Sequence, residues 1–98
     1  MFIRIVKMTF RPEEVETFKA LFDRQKEKIR GAAGCMRLEL LQYQQDPAVF
    51  MTYSWWNAEQ DLENYRNSEL FKSTWAETKP LFADKPEAWS MDRLIELT

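Results

Sequence analysis

The chain has 98 residues, a length that suits one domain with a modest core. Its 14 Lys+Arg against 16 Asp+Glu leave a formal net charge of −2, so it lacks the basic excess that grips a nucleic-acid backbone. There is no histidine, one cysteine (Cys35) and only Gly31 and Gly34 as glycines, which excludes histidine-based nucleophile systems, HExxH zinc sites, histidine-ligated iron or haem, intrachain disulfides, GxGxxG and the P-loop.

Residues 2–10 are rich in β-branched and aromatic side chains and predict a strand. Phe2, Val6, Met8 and Phe10 share one parity, with Arg4 as the exception; Ile3, Ile5, Lys7 and Thr9 take the other. Residues 12–30 predict an amphipathic helix. Pro12 stands at its start, and Glu13, Glu14 and Glu16 sit at the positive end of its dipole. Val15, Phe18, Leu21, Phe22 and Ile29 form its stripe with Gln25, residues 23–28 form a solvated face, and Gly31 is the expected left-handed cap. Residues 35–44 and 49–56 read as two strands of a hairpin around Asp46-Pro47. Asn57, with Gln60 three residues on, is placed to cap a short helix that turns Leu62 and Tyr65 inward. Ser68 caps a second helix striped by Leu70, Phe71, Thr74, Trp75 and Thr78, and Pro80 ends it. Residues 81–87 read as a loop and 89–97 as a last strand.

The order β-α-β-β-α(α)-β predicts an α+β, ferredoxin-like domain over residues 1–98: a four-stranded antiparallel sheet with helices on one face. Such a sheet leaves its second face uncovered, and here both strand parities carry apolar side chains. A homodimer through that sheet face covers it. Aromatic residues make up 14% of the chain, with tryptophan at 55, 56, 75 and 89. Rings of this size and number call for a burial surface beyond the core, either a ligand pocket or a subunit interface. No apolar run is long enough to span a membrane, and Met1-Phe2-Ile3-Arg4 meets a charge too early for a secretory leader. A soluble, cytoplasmic protein with no membrane partner is expected.

The run from Tyr53-Ser54-Trp55-Trp56 through Leu62 and Tyr65 to Ser68-Glu69-Leu70-Phe71 resembles the antibiotic biosynthesis monooxygenase (ABM) family. There an aromatic-rich strand end leads into a short helix, and Ser-x-x-Phe opens the next. Phe10-x-Pro12, Gly34-Cys35 and the Asp46-Pro47 hairpin add to the likeness, which extends in order over the whole chain. The resemblance implies a dimeric α+β barrel with a pocket between sheet and helices. It also implies a cofactor-free monooxygenase acting on a small electron-rich aromatic of the phenol, anthrone or hydroquinone class. The haem-degrading branch of the family is disfavoured. Its axial histidine falls at Trp75, its ring-distorting tryptophan at Tyr65 and its strand asparagine near Val6.

Oxygenation without metal, flavin or other cofactor requires the substrate to reduce O₂ itself, inside a dry pocket that stabilises its anion. Trp55, Trp56, Phe71 and Trp75 are the candidate walls, with core packing as the alternative for Phe71 and Trp75 and corner packing for Trp56. Tyr65, Tyr53 and Arg37 are the candidate catalytic groups. Arg4 and Arg37 could point into the pocket or out of it, because a one-residue slip inverts a strand's faces. Arg37 with Glu39 also reads as a surface ion pair, Trp89 as a dimer anchor and Cys35 as a small buried hydrophobe. Two other functions compete with an oxygenase. One is a non-catalytic ligand-binding or interaction dimer on the same scaffold. The other, an RNA-recognition domain, would use Tyr53 and Trp55, but residues 49–56 lack the glycine and basic residues such a strand needs.

Overall fold

The computed structural model describes residues 1–98. Its strands β1 (Phe2–Thr9), β2 (Cys35–Gln42), β3 (Val49–Trp56) and β4 (Glu87–Asp92) form one sheet in the order β2-β3-β1-β4. Every neighbouring pair is antiparallel. Three helices, α1 (Val15–Arg30), α2 (Glu59–Arg66) and α3 (Glu69–Thr78), lie on one side. This is the ferredoxin-like arrangement expected from the element order. No helix is long and apolar enough to cross a membrane.

Register decides which side chains meet the helices. Phe2, Arg4, Val6 and Met8 of β1 pair with Trp56, Ser54, Thr52 and Phe50 of β3. Because side chains alternate along a strand, these eight share the helix-covered face. Leu38 and Leu40 of β2, paired with Ser54 and Thr52, join them. Met8, Phe10, Phe18, Phe50 and Leu81 form the main core, and a second cluster of Phe2, Cys35 and Trp56 is closed by Leu62 and Tyr65. The opposite face carries Ile3, Ile5, Met51, Tyr53, Trp55, Arg37, Glu39, Trp89 and Met91. No element covers it, and Trp89 remains 38% and Met91 47% exposed.

The local signals held with instructive exceptions. Residues 12–14 form a single 3₁₀ turn that feeds α1, as Pro12 and the acidic first turn foretell. Gly31 is not left-handed: its φ is −80°, and its N–H closes the helix onto the Glu27 carbonyl. The left-handed residue is Gly34, at φ 84°. A β-carbon there would also collide with the Asp61 side chain at the start of α2. Ala58, not Asn57, is the N-cap of α2, without a side-chain bond, and Gln60 instead donates to Asn64 Oδ1 at 2.9 Å. Ser68 does cap α3, accepting from the Phe71 N–H at 3.1 Å. Beyond Thr78 the chain tightens into a 3₁₀ turn at Lys79–Leu81, so Leu81, expected in a loop, is buried in the core. The last strand runs from Glu87 to Asp92 and stops short of the expected 97. It is exposed along its length, with no strand beyond it.

Candidate functional site

Between the helix-covered face and the helices lies a hollow of about 110 Å³, with ten hydrophobic residues among its fifteen lining residues. Val6, Met8, Leu38, Thr52 and Ser54 make its floor, and Phe18, Phe22 and Ile29 of α1 close one side. The remaining wall is aromatic. Trp56 and Tyr65 lie 5.3 Å apart between ring centroids, Tyr65 and Phe71 5.3 Å, and Phe71 stacks on Trp75 at 5.8 Å. The spacing that turns Leu62 and Tyr65 inward on α2, and Phe71, Thr74, Trp75 and Thr78 inward on α3, puts these rings where two short helices meet.

Few polar groups face this space. Trp56 Nε1 donates to Ser54 Oγ at 2.9 Å, and that hydroxyl donates in turn to the Arg4 carbonyl at 3.4 Å. A floor held this way fixes the indole, which is only 1% exposed. Tyr65 makes no side-chain hydrogen bond in the chain. Burial, reinforced by the nearby Cys35 thiol, pushes its phenol up to about 12. Tyr65 is therefore a neutral O–H donor at ordinary pH, where sequence alone left a proton-accepting role open. Thr74 Oγ1 is buried without any partner. Leaving a buried hydroxyl unpaired is costly, and this one belongs to a lining residue. At the rim, Arg4 Nη1 donates to Ser90 Oγ at 3.0 Å. Its guanidinium is lowered from the usual range by burial first and by the charge of Arg66 second. No group of three or more His, Cys, Asp or Glu side chains converges as metal ligands do.

Of the seven candidate site residues, Trp56, Tyr65, Phe71 and Trp75 come together in the hollow. Tyr53, Trp55 and Arg37 do not. Their register places them on the uncovered face, opposite Ile5, Ile3 and one another, so their expected share in the same pocket is corrected. There Arg37 pairs with Glu39, and the Trp55 ring carries Arg37 at 5.1 Å and Arg93 at 3.9 Å from its centroid. Arg4, left undecided by parity, points inward. Sequence reasoning missed Ser54 and Arg66 and took Thr74 only as part of a helix stripe. For Arg4 and Thr74 a signal existed: each is a polar residue within an otherwise apolar stripe. Nothing local marks Arg66.

A family model described as antibiotic biosynthesis monooxygenase matches residues 1–77. The chain belongs to the antibiotic biosynthesis monooxygenase family. The matched span holds α1, the hairpin, α2 and all but the end of α3; β4 lies beyond it. Solved structures share the ABM fold closely. A candidate antibiotic biosynthesis monooxygenase of Nitrosomonas europaea superposes with a TM-score of 0.90 at 20% identity, over 97% of this chain and 100% of that one. A conserved protein of Methanosarcina mazei gives 0.88 at 22%, over 95% and 93%. A Mycobacterium tuberculosis protein gives 0.89 at 18%, over 99% and 98%. At these identities the likeness establishes the fold alone. No curated protein sequence matches the chain.

Proposed function

We propose that this ABM protein is a cofactor-independent monooxygenase of a small electron-rich aromatic, a phenol, anthrone or hydroquinone. We further propose that it acts as a single domain over residues 1–98 in a homodimer formed through the uncovered sheet face. The observation that carries the activity is the hollow: apolar and ring-walled, with a neutral Tyr65 hydroxyl and an unpartnered Thr74 hydroxyl among its lining residues. Ring walls hold a flat guest, and the hydroxyls favour its oxyanion over the neutral phenol. Once the phenol O–H is ionised, the ring can give electrons to O₂. In the full reaction a phenol with a free para C–H becomes a quinone. The C–H and O–H bonds break, one oxygen atom forms the new C=O, and the other leaves as water. All four electrons that O₂ accepts come from the substrate. No carboxylate or imidazole lines the hollow, so the substrate proton leaves toward solvent through the mouth.

The dimer is supported by the apolar surface of Ile5, Met51, Trp89 and Met91, which a second copy would cover. The test of the activity is oxygen consumption by the purified protein with a panel of phenols open at the para position and of hydroquinones, with the oxygenated quinone as product, set beside Tyr65→Phe. Uptake above background that falls about tenfold or more in the variant supports the reading. Absence of uptake, with binding retained, replaces it with a non-catalytic ligand-binding dimer. The size of the hollow favours an interaction dimer over either ligand reading, since about 110 Å³ is less than the roughly 150 Å³ of an apolar cavity that takes up benzene.

A further inference from the structure

Two guanidinium groups border one opening, and neither is held in an ion pair. Arg4 is the only charged side chain lining the inner hollow, and it also borders the space of about 250 Å³ outside it, where Arg66, Phe71 and Trp75 meet β4. Neither arginine has a carboxylate within 4.0 Å; the one side-chain partner of Arg4 is the neutral Ser90 hydroxyl. Acidic residues also border these spaces, but none reaches either guanidinium. Glu63 Oε1 accepts from Asn67 Nδ2 at 3.3 Å, Glu59 is exposed in the first turn of α2, and Glu87, at the edge of the outer space, stands opposite Lys7 in the sheet. The Arg4 guanidinium is lowered by burial first and by the nearby charge of Arg66 second. Like charges held together at the rim of an apolar space are relieved by a bound anion, and the planar guanidinium fork matches a carboxylate.

We propose that the guest is a planar aromatic acid, with its ring between the aromatic walls and its carboxylate held at the mouth by Arg4 and Arg66. This rests on the reading of the hollow as the substrate site and narrows its substrate class. The two ends of the guest then have separate partners: the arginines take the fixed charge, and the Tyr65 and Thr74 hydroxyls take the ring oxygen that reacts. The combined length of hollow and mouth also answers the small inner volume, because a carboxylated ring spans both.

Anaerobic isothermal titration of the full chain with 2,5-dihydroxybenzoate and with hydroquinone tests this. The two probes share a ring and differ by the carboxylate. The acid is expected to bind about tenfold or more tightly, as a charge-assisted contact implies, and to lose that advantage as salt is raised. Arg4→Gln, and separately the exposed Arg66→Gln, should bring the affinity ratio toward one. Equal affinities in the unaltered protein, a preference that survives in both variants, or equally tight binding of inorganic phosphate each overturn the proposal. Selective binding of the acid without oxygen consumption upholds it while refuting the oxygenase reading. Failure of both aromatic probes to bind refutes both.

Discussion

Trp55 and Trp56 are adjacent in β3 and end on opposite sides of the sheet. Trp56 is enclosed, its indole N–H tied to Ser54 and its ring against Tyr65. Trp55 lies on the bare side beneath two arginines, its own N–H buried and unpaired. The pair shows how one aromatic-rich strand serves two surfaces. Its even residues build a hollow with the helices, and its odd residues build an apolar plane suited to a second copy of the chain. Composition signals both surfaces, but only register says which ring belongs to which.

The contrast can be tested first through stability. Trp56→Ala empties a buried site and should cost about 3–5 kcal/mol in denaturant unfolding, whereas Trp55→Ala should cost clearly less. Next is association. In the proposed dimer Trp89→Glu sets a charge in the apolar plane, and the dissociation constant seen by sedimentation should rise about a hundredfold, or ~3 kcal/mol. A protein that is already monomeric before the change would undo the account of that face.

A third test is the alkaline limb. The Tyr65 phenol is raised to about 12 in the fold against about 10 in an unfolded chain. Its contribution is thus fully present below about pH 10 and is lost as pH rises toward 12. Unfolding measured at both ends of that window should show an extra loss of roughly 2 kcal/mol in the parent that Tyr65→Phe abolishes. The smallest effect belongs to Arg37→Ala. Its exposed pair with Glu39 is worth under about 1 kcal/mol, and ligand affinity in the hollow should stay within about twofold. A larger loss of affinity would return Arg37 to the site.

Much of the architecture is written locally. The apolar stripe of α1, the Ser68 cap and the Asp46-Pro47 connection each carry their own geometry. Features set by distant parts of the chain are not legible in this way. Position 34 demands glycine twice over, through its left-handed backbone and because Asp61, far along the sequence, leaves no room for a side chain. Tyr53 and Arg37 have the chemistry a site needs, yet pairing with β1 and β3 turns them outward. Arg66 borders the mouth because α2 and β4 line the same outer space, which no spacing within α2 records.

The ring sequence has a consequence of its own. From Trp56 it passes through Tyr65, Phe71 and Trp75 to Phe82, Phe10 and Phe18, with successive centroids no more than 5.8 Å apart. Phe71 and Trp75 cannot swing aside for an arriving molecule without disturbing Phe82, and through it the interior beneath α1. Occupancy should therefore be felt as slowed amide exchange along α1 and β1 as well as at the entrance, making the whole small domain the sensor of what it holds.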